Sequence, residues 1–424
     1  MPTNPYLIPK IEAPFNTEIT LPGSKSIALR QLAISALCTG TTELHGIPVC
    51  DDTAAMLDCL STLGCTVFQQ GTEVRLTGPM DLTADVELNA RMSGASTRLL
   101  LGLAALRTGA TRIDGHESLR VRTNAPLLEV LARYGCAVES PAGGLPATIR
   151  GPMQPAARLE IDGSISSQYI TALAIVAPHL PTLQEIQITG SLVSRPYLDI
   201  TRNEMAKRGV QLDWTGPQSL SIGPQRYTTG TLQVEGDATA ASYFSALATL
   251  HGSTITLTNL RDDSAQGDYG FCHLMEKLGA EVRCDATGTR IRGPQQVQAL
   301  PPQDLTAMPD AALTLIAMAP MIPGNTEISG LSTLHHKECD RLECSARELN
   351  AMGVNVETTA DSIRVAAAPL SALQAHQLST YHDHRMAMAF STVGSMTGEL
   401  TVDNKQVVDK TYPTYWDAYE GLLR

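Results

Sequence analysis

Six short stretches of this chain place charged or hydroxyl residues immediately before a helical run of small residues. They are Gly23–Arg30, Gly163–Tyr169, Glu235–Ala238, Pro309–Ala312, Lys337–Arg341 and Asp383–Met388. The first turn of a helix has unpaired N–H groups and the positive end of the helix dipole, so it attracts phosphate and carboxylate groups. Several such ends, supplemented by Lys and Arg, would hold more negative charge than one small ligand usually carries. The pattern predicts a transferase that acts on phosphorylated acids.

Composition sets the size and charge of the protein that must position these residues. The chain has 424 residues, 43% of them hydrophobic and 17% charged, enough for two or three domains with substantial cores. Aromatic residues make up only 4%, so we expect aliphatic, alanine-rich cores. The formal net charge of −12 argues against a nucleic-acid or membrane-surface partner, because phosphate backbones demand a basic face. An anion site must therefore be a local cationic cluster in an acidic protein.

The cysteines indicate a reducing compartment, and the apolar runs bear on whether the chain crosses a membrane. Nine cysteines are scattered without any CxxC pair, so we expect reduced, mostly buried thiols rather than a disulfide framework or a zinc site. The first residues resemble no signal peptide, and no apolar run reaches the ~18 residues of a membrane span. We therefore expect a cytoplasmic protein. The sequence has neither a nucleotide-binding glycine motif nor metal-ligand spacing, which predicts no cofactor and no metal.

A pattern of helix, glycine and hairpin recurs five times along the chain. The glycines that end the helices are spaced by 70 to 74 residues, and they are Gly64, Gly135, Gly209, Gly279 and Gly353. Each hairpin is followed by a Gly-Pro pair, except the last, which ends at Pro369 alone. A near-constant period is typical of repeated supersecondary units, and each glycine suits a helix end with positive φ. Residues 1–22 and roughly 370–424 remain for a sixth unit.

Six units divide naturally into two domains of three units each. The break after the third hairpin falls near Thr229–Gly230. The other crossing falls near Leu21–Gly23 if the N-terminal strand pairs into the C-terminal half. This division predicts an α/β (α+β) fold with one domain at residues 23–234 and a second at residues 1–22 plus 235–424.

Nine stretches resemble the EPSP synthase (3-phosphoshikimate 1-carboxyvinyltransferase) family, in the family's order and over the whole chain. They are Pro22–Ser26 with Arg30, Leu119–Arg122, Gly163–Tyr169, Ser194–Asp199, Glu235–Ala238, Pro309–Ala312, Lys337–Arg341, Asp383–Met388 and Asp409–Pro413. Each stretch alone is weak evidence of a family resemblance, but nine stretches in the family's order are specific to that family. The resemblance implies a two-domain inside-out α/β barrel fold with six βαβαββ repeats, three per domain. It also implies transfer of the enolpyruvyl group of phosphoenolpyruvate to the 5-hydroxyl of shikimate 3-phosphate in chorismate and aromatic amino-acid biosynthesis.

The same resemblance assigns substrate contacts to both domains. Residues 23–234 would mainly bind shikimate 3-phosphate, and the second domain would complete the phosphoenolpyruvate site and supply catalytic residues. The residues expected at shikimate 3-phosphate are Lys25, Ser26, Arg30, Ser166, Ser167, Gln168, Ser194, Tyr197, Asp310, Thr333 and Lys337. Those expected at phosphoenolpyruvate are Lys25, Gly94, Arg122, Gln168, Arg341, Arg385 and Lys410. A monomer is expected, with these two small molecules as its partners.

The residue types in both sets suit such ligands. Ser26 can cap the helix that follows it, and the planar guanidinium of Arg30 suits a carboxylate. Residues Ser166–Gln168 offer hydroxyl, amide and helix N–H donors without charge, which suits a phosphate. If the segment from Lys337 to Arg341 is helical, its two cations stand on one face.

Asp310 and Glu338 are the candidates for acid–base chemistry. The 5-hydroxyl must lose a proton and the methylene of phosphoenolpyruvate must gain one, after which the tetrahedral intermediate loses phosphate. Two carboxylates among cations can hold different pKa values and divide these tasks. We expect Asp310 to act at the hydroxyl and Glu338, with Lys25, at the methylene. His384 is a plausible assistant but could equally be structural, and which group moves which proton stays open.

Two stretches depart from the family's pattern. The stretch that matches the family's Asn-Ala-Gly-Thr-x-x-Arg-Pro motif keeps its Gly and Arg but carries Met92, Ala95 and Leu99 in place of Asn, Thr and Pro. In the family this wall of the phosphoenolpyruvate pocket also binds glyphosate, so reduced glyphosate sensitivity is expected. Thr333 and His335 stand where the family usually has Asn and Arg, which should lower the affinity for shikimate 3-phosphate somewhat.

Other functions fit the sequence less well. The enolpyruvyl transferase that acts on UDP-N-acetylglucosamine shares the fold, but it typically has Lys-Asn where this chain has Lys25–Ser26, and a Cys before the Arg that matches Arg122. A diverged binder without turnover is a second alternative, although it would not need both Asp310 and Glu338. An RNA-terminal phosphate cyclase has related repeats, but the net charge of −12 argues against it.

Overall fold

The computed structural model describes residues 4–424, and these residues form two compact units. One unit is Gly23–Val234. The other joins the described residues up to Pro22 to the segment Glu235–Arg424. The chain therefore passes from one unit to the other twice, and the second unit is discontinuous in sequence.

Thirteen α-helices form within residues 4–424. In the first unit they are α1 Lys25–Ser35, α2 Asp51–Thr62, α3 Gly94–Ala104, α4 Glu117–Arg120, α5 Ala125–Arg133, α6 Ser167–Val176 and α7 Pro196–Ala206. In the second they are α8 Ala238–Leu250, α9 Gly270–Lys277, α10 Pro309–Met318, α11 Arg341–Ala351, α12 His384–Thr397 and α13 Tyr415–Glu420. Single 3-10 turns lie at Ala177–His179, Gly267–Tyr269, Ala319–Met321, Ser332–His336, Leu370–Ala372, Lys405–Lys410 and Gly421–Leu423.

The same residues contain 23 strands. From β1 to β12 they are Tyr6–Leu7, Asn16–Ile19, Gly40–His45, Thr66–Gln70, Glu73–Gly78, Val86–Asn89, Thr111–Asp114, Ala137–Glu139, Ala147–Arg150, Arg158–Asp162, Glu185–Thr189 and Asp213–Gly216. From β13 to β23 they are Ser219–Ser221, Thr231–Gln233, Thr254–Leu257, Glu281–Asp285, Gly288–Arg292, Gln303–Asp304, Asn325–Ser329, Val356–Thr358, Ser362–Ala366, His376–Leu378 and Leu400–Val402.

Unit 23–234 contains three four-stranded sheets built to one plan. Their strand orders are β14-β3-β5-β4, β6-β7-β9-β8 and β10-β11-β13-β12. In each sheet the first two strands are parallel and the last two form an antiparallel hairpin. Each hairpin follows a glycine of positive φ, namely Gly64, Gly135 or Gly209, a backbone conformation that a residue with a Cβ rarely adopts. The repeated unit read from the sequence is therefore present here three times.

The second unit repeats this plan twice and then shortens it. Sheets β16-β17-β15-β2 and β18-β19-β21-β20 each have four strands, and the third sheet, β1-β23-β22, has three. Strand β2 precedes the first crossing between the units, yet it pairs with β15 in parallel, with Ile19 opposite Leu257. In the third sheet the single strand β1 takes the place of the hairpin, with Tyr6 opposite Val402. The sixth unit is thus present but lacks one strand.

A bundle of buried helices forms the centre of each unit. In unit 23–234 helices α1, α3 and α6 pack together, and in the second unit α8, α10 and α12 do so. These helices are rich in Ala and other small or apolar residues, and nearly every residue of α8 is buried, as expected for helices surrounded by other elements. The core of the second unit is not purely aliphatic, since five aromatic residues pack ring against ring there: Tyr243, Phe244, Tyr412, Tyr415 and Trp416.

Candidate active site

The three central helices of unit 23–234 all begin at a serine. Ser93 caps α3 by accepting a hydrogen bond from Ser96 N, and Ser166 caps α6 by accepting one from Gln168 N at 3.3 Å. Ser24 caps α1, and within residues 4–424 its buried hydroxyl has no hydrogen-bond partner. The expectation that Ser26 caps this helix is wrong, because Ser26 lies one residue inside it. Neutral caps leave these helix ends free of the negative charge that would repel an anion.

Lys25 is the first residue of α1 and is held by a carboxylate from α2. Its Nζ lies 2.8 Å from Asp52 Oδ2, and the Asp52 side chain is only 2% exposed. Sequence reasoning did not include Asp52 in the site. Two adjacent acids at the start of a helix are common partners of the helix dipole, so the sequence carried no signal that one of them holds Lys25.

Arg30 is buried and tied to the start of α7. Its guanidinium donates to Thr201 Oγ1 at 2.9 Å, to Ser26 O at 2.7 Å, and to Tyr197 O at 3.0 Å. A longer bond reaches Thr171 Oγ1 at 3.4 Å. Burial lowers the pKa of Arg30 to about 10, so it stays cationic at neutral pH. These bonds use four of its five N–H groups and fix the position of the remaining one.

The start of α7 also carries Ser194 and Tyr197. Ser194 has a φ of 53° and accepts a hydrogen bond from Tyr197 N through its backbone carbonyl at 3.1 Å. Its side chain is nearly buried, as is that of Ser167 on the first turn of α6. Since α1 contacts both α6 and α7, the structure brings the predicted residues of these three helices into one region of unit 23–234.

Gly94, Arg98 and Arg122 converge at the start of α3. A Cβ built on Gly94 would lie 2.8 Å from Arg122 Nη1 and closer still to Arg98 Nη1. Arg98 donates to Thr123 O at 3.3 Å. It places a second guanidinium group at this helix end, and the sequence had predicted no substrate contact for it. Leu99 lies inside α3 and is 5% exposed. The reduced glyphosate sensitivity expected from this altered stretch stays a prediction.

In the second unit Asp310 is surrounded by three cations. It lies in the first turn of α10, and its Oδ1 is 3.0 Å from both Lys337 Nζ and Arg341 Nη1. Its Oδ2 is 3.3 Å from Arg385 Nη2. Burial alone would raise the pKa of Asp310, but Lys337, Arg385 and Arg341 together hold it well below its usual range. Asp310 is therefore ionised at neutral pH.

Arg341 joins Asp310 to the other acidic residues of the cluster. Its side chain is 1% exposed, and its Nη2 lies 2.9 Å from Glu338 Oε2 while its Nε lies 2.7 Å from Asp383 Oδ2. Lys410 Nζ contacts the other oxygen of Glu338 at 2.8 Å. Four cations thus meet three carboxylates, and the cluster keeps a positive charge within an acidic protein.

The segment before α11 is not the helix that the sequence suggested. Helix α11 begins at Arg341, Asp340 is its N-cap, and Lys337 has extended backbone. Lys337 and Arg341 nevertheless meet, because both contact the same oxygen of Asp310. Thr333 lies in the preceding 3-10 turn, and its buried hydroxyl has no hydrogen-bond partner in the described part of the chain.

Asp383, His384 and Arg385 form the start of α12. Asp383 caps the helix by accepting a hydrogen bond from Arg385 N at 2.9 Å. His384 is 1% exposed, with its Nδ1 3.5 Å from Asp383 Oδ1. The Arg385 side chain also donates to the hydroxyl of Tyr243 on α8 at 3.2 Å. Sequence reasoning quoted Asp383 within a motif but gave it no role, although its carboxylate orients Arg341.

A second buried acid, Asp268, lies near Asp310 and was also missed. Its carboxylate accepts a hydrogen bond from Thr239 Oγ1 on α8, and the residue is 5% exposed. Burial, and then the negative charge of Asp310, raise the pKa of Asp268 to about 7, against a smaller opposing effect of Arg385. Two neighbouring carboxylates therefore have pKa values displaced in opposite directions.

Residues 4–424 contain neither a metal-binding cluster nor a helix that could cross a membrane. In that range the structure contains no group of three or more His, Cys, Asp or Glu side chains arranged to hold a metal ion. The helices of the same range are all too short or too polar to cross a bilayer. All nine cysteines are free thiols, seven of them buried.

The fold is that of known enolpyruvyl transferases. It superposes on an EPSP synthase from Acinetobacter baumannii with a TM-score of 0.81 at 22% identity, covering 99% of this chain and 98% of that one. It also superposes on the enolpyruvyl transferase NikO from Streptomyces tendae with a TM-score of 0.75 at 17% identity, covering 99% and 98%. The predicted two-domain α/β fold is thereby confirmed, while the closure of each domain into a barrel stays a prediction.

Sequence comparison gives the family. The family model described as EPSP synthase (3-phosphoshikimate 1-carboxyvinyltransferase) matches residues 9–419. A protein named 3-phosphoshikimate 1-carboxyvinyltransferase from Klebsiella pneumoniae is 35% identical over 94% of each chain. One of the same name from a Sulfurovum species is 34% identical over 96% of each chain. This chain belongs to the EPSP synthase family, which confirms the resemblance read from its motifs.

Proposed function

We propose that this protein transfers the enolpyruvyl group of phosphoenolpyruvate to the 5-hydroxyl of shikimate 3-phosphate and releases phosphate. The observation that carries the proposal is the cluster in which Arg341 contacts Asp310 and Glu338 together. It combines the charges that would hold an anionic substrate with the two carboxylates that the proton transfers need. The names of the curated relatives support this acceptor over UDP-N-acetylglucosamine.

Unit 23–234 would mainly bind shikimate 3-phosphate. The first turn of α6, with Ser166–Gln168, offers neutral donors for the phosphate, and the capping serines add no opposing charge. Arg30 would present its remaining N–H group to the carboxylate, with Ser26, Ser194 and Tyr197 nearby on α1 and α7. From the second unit, Asp310, Thr333 and Lys337 would complete this set.

The cations of the second unit would bind phosphoenolpyruvate. Arg341, Arg385 and Lys410 are each less than a tenth exposed, so their attraction for an anion is weakly screened by solvent. Lys25, Gly94, Arg122 and Gln168 would supply the remaining contacts. At Gly94 the missing side chain is what allows two guanidinium groups to lie against the start of α3.

Ion pairing gives Asp310 a protonation state that depends on substrate. Against the raising effect of burial, three cations hold its pKa well below its usual range, which makes it a weak base. A bound phosphate or carboxylate that engages Lys337, Arg341 and Arg385 would offset their charge and raise the pKa of Asp310. The carboxylate would thus become able to accept the 5-hydroxyl proton only when both anionic substrates are in place.

Glu338 would protonate the methylene carbon of phosphoenolpyruvate, with Lys25 as its partner. Once the tetrahedral intermediate has formed, the same methyl carbon would return a proton as phosphate leaves, so Glu338 serves both steps. Contacts with Arg341 and Lys410 hold its two oxygens separately and fix the direction of the carboxylate. His384 would assist from the start of α12.

We further propose that the protein acts as a monomer in the cytoplasm. Both residue clusters occur in one chain, so the reaction requires no residue from a second copy. Nine free thiols suit a reducing compartment.

Phosphate release from phosphoenolpyruvate tests the proposed reaction. We expect wild type to release phosphate only when shikimate 3-phosphate is present. Asp310→Asn should lower kcat by roughly 100- to 10,000-fold, the usual contribution of a general base. Asp417→Asn, a change of the same type at an exposed position on α13, should leave the rate unchanged. Phosphate release without shikimate 3-phosphate, or an Asp310→Asn variant with full activity, would contradict the proposal.

A further inference from the structure

The imidazole of His335 joins the 3-10 turn Ser332–His336 to two other elements of the second unit. Its Nδ1 lies 2.8 Å from Asp340 Oδ2, and its Nε2 lies 3.0 Å from the carbonyl oxygen of Ala360. Asp340 is the N-cap of α11, and Ala360 belongs to the turn that connects β20 to β21. His335 therefore ties its own turn both to the start of a helix and to a neighbouring hairpin.

The charge of the ring follows from these two partners. A carbonyl oxygen only accepts hydrogen bonds, so Nε2 of His335 must carry a proton to bond Ala360. Asp340 accepts as well, since its other oxygen, Oδ1, receives a hydrogen bond from Glu343 N at 3.1 Å. A carboxylate has no proton to donate, and Nδ1 must therefore carry one too. With both nitrogens protonated, His335 is an imidazolium cation.

The charged groups around His335 are mostly acidic. They come from every element beside the turn: Asp340 and Glu343 of α11, Asp361 of the hairpin turn, Asp310 of α10 with its partners Lys337 and Arg341, and His336 of the 3-10 turn itself. The hydrogen bond to Asp340 raises the pKa of His335 above its usual 6.5, against the opposing effect of partial burial. The ring thus keeps its charge to a higher pH than an isolated histidine does.

The turn that His335 holds leads directly to a residue of the proposed site. Its start is fixed by Ser332 N, which donates to Asp361 Oδ1 at 2.7 Å. At its end His335 makes the two contacts described above. Lys337 follows two residues later, with its Nζ 3.0 Å from Asp310 Oδ1. Because a single residue separates His335 from Lys337, a shift of the histidine also moves the backbone that carries the lysine.

We propose that His335 is a positioning residue for shikimate 3-phosphate, whose cation holds the turn that places Thr333 and Lys337. This inference rests on the proposed function, which assigns both of those residues to that substrate. A neutral ring has one N–H, so it can donate to Asp340 or to Ala360 but not to both. Because the pKa of His335 is raised in the folded protein, both contacts are present at low pH, and one is lost as the pH rises through that raised value. Affinity for shikimate 3-phosphate should fall over the same range.

The KM for shikimate 3-phosphate, measured from pH 6 to pH 9, tests the positioning role. In His335→Arg the guanidinium keeps several donors and does not titrate in this range. The wild-type KM should therefore rise about fivefold more than that of His335→Arg, the effect of one partly exposed hydrogen bond. The ratio of the two KM values cancels the titration of the substrate's own phosphate. The KM for phosphoenolpyruvate should be equal in the two proteins at each pH.

Two glutamine variants complete this test. His335→Gln is neutral at every pH, so its KM for shikimate 3-phosphate should already be raised at pH 6. His273→Gln is the matched control, because Nδ1 of His273 also faces a carboxylate, that of Glu276 at 3.1 Å, but on the exposed surface of α9. It should follow the wild-type profile. Parallel profiles of wild type and His335→Arg would overturn the proposal, as would an unchanged KM in His335→Gln at pH 6.

The charge of His335 is tested separately from the reaction. Histidine ring signals are followed by NMR from pH 5 to pH 9 in wild type and in His335→Gln, and the signal missing from the variant belongs to His335. We expect the pKa of this ring to lie above the usual 6.5. A lower pKa would overturn the proposal whatever the protein catalyses. Normal phosphate release with parallel KM profiles would refute the role of His335 alone, whereas no release at any pH would refute the proposed function.

Discussion

At the scale of single residues, Arg341 has the most demanding position. A guanidinium that is 1% exposed loses nearly all its hydration, a cost of several kcal/mol that only close carboxylates and good hydrogen-bond geometry can offset. Its planar group donates in three directions, to Asp310, Glu338 and Asp383. A single residue thus sets the separation of the two proposed acid–base groups. Lysine could not do so, because its charge is confined to one nitrogen.

Gly94 gives a prediction at this scale. In Gly94→Ala the new methyl group would lie 2.8 Å from Arg122 Nη1, so both nearby guanidinium groups must move. We expect the KM for phosphoenolpyruvate to rise at least tenfold, with the KM for shikimate 3-phosphate nearly unchanged, since one displaced charge-assisted hydrogen bond is worth about 1.5–3 kcal/mol. Initial-rate kinetics with each substrate varied would show this difference.

The matched control for that variant is Gly223→Ala. A Cβ at Gly223 meets no atom within 4 Å, and its φ is not positive, so the same substitution should leave both KM values unchanged. Equal effects on the two substrates in Gly94→Ala would mean that the methyl group acts on the whole unit rather than on the cationic pocket.

Asp268 predicts a dependence of stability on pH. Its pKa is about 7 in the folded protein and 3.8 in an ordinary environment, so between these values the folded state binds the extra proton. The free energy of unfolding should therefore fall as the pH rises from about 4 to about 7, by roughly 4 kcal/mol. Asp310 acts in the opposite sense and below this window, because its pKa is lowered and its contribution is lost only in acid.

Asp268→Asn should remove this slope while keeping an acceptor for Thr239. Urea denaturation at pH 5 and pH 8 would measure it, with Asp263→Asn, an exposed acid of the same unit, as control. A variant whose stability still falls with pH as steeply as wild type would place the titrating group elsewhere.

The sequence predicted the charged residues of the site better than their partners. Lys25, Arg341 and Arg385 stand in stretches that are weak alone but specific when they occur together and in order. Asp52 and Asp268 were missed because a lone acid has many ordinary roles, and only tertiary contact shows which cation or carboxylate it faces. Lys25 and Asp52 are 27 residues apart in the sequence, and a local sequence pattern does not show that their side chains meet.

At the scale of helices, the two units have different types of residue at the N-caps of their central helices. The central helices α1, α3 and α6 begin with neutral serines, whereas α8 and α12 begin with Asp237 and Asp383. A serine cap leaves the positive helix end available to an anion, and an aspartate cap neutralises it and attracts cations instead. Under the proposed function, the first unit would bind anions with helix ends, while the second would bind them mainly with side chains that its carboxylates hold in place.

Asp383 yields a prediction for α12 because its carboxylate has two separate roles. Asp383→Asn keeps an oxygen for the cap but removes the charge beside Arg341, and we expect a loss of about 3–5 kcal/mol in the free energy of unfolding. Asp383→Ala also removes the cap and should cost a further ~1 kcal/mol. Denaturation of both variants in urea separates the two contributions. Nearly equal stability of Asp383→Asn and wild type would show that the cap alone matters.

The repeated elements were predictable where their signals are local. Each glycine of positive φ lies next to the hairpin it precedes, so a period of about 72 residues could be read directly. The helix considered only as a condition for Lys337 to Arg341 does not form, since Lys337 has extended backbone and is held by Asp310 of α10. The sixth unit has one strand fewer than the others, and its third strand comes from the other end of the sequence.

At the scale of the whole molecule, the N-terminal residues belong to a unit whose other part begins at Glu235. They supply β1 to one sheet and β2 to another, and Ile8, Ile11 and Phe15 are buried in that unit's core. In the sequence, pairing of an N-terminal strand with the C-terminal half was only a condition for placing a domain boundary near Leu21–Gly23. Local patterns cannot distinguish a strand that pairs with its neighbour from one that pairs some 240 residues away, as Ile19 and Leu257 do.

This arrangement predicts the effect of removing the N-terminus. A chain that starts at Gly23 retains every strand of unit 23–234 but loses two strands of the other unit. Differential scanning calorimetry should show one unfolding transition kept and the other lost. Hydrogen exchange should find strong protection of β6 and β7 and weak protection of β15 and β23, whose partners are gone.

The control is a variant in which the removed N-terminal residues are joined to the C-terminal end of the chain. Tyr6 donates a hydrogen bond to Glu420 at 2.6 Å, so the two termini of the second unit are close. Residues 4–22 joined after Arg424 through a flexible linker should restore the lost transition. If the chain starting at Gly23 already shows both transitions, β1 and β2 are dispensable.

Strands β1 and β2 are made long before their partners β23 and β15. At about 5–20 residues per second, roughly 20–80 s separate the synthesis of β1 from that of β23 on the ribosome. Unit 23–234 has all its strands as soon as β14 emerges, and it can fold while translation continues. Residues 4–22 must wait for β15 and β23 before their apolar side chains can be buried in the second unit.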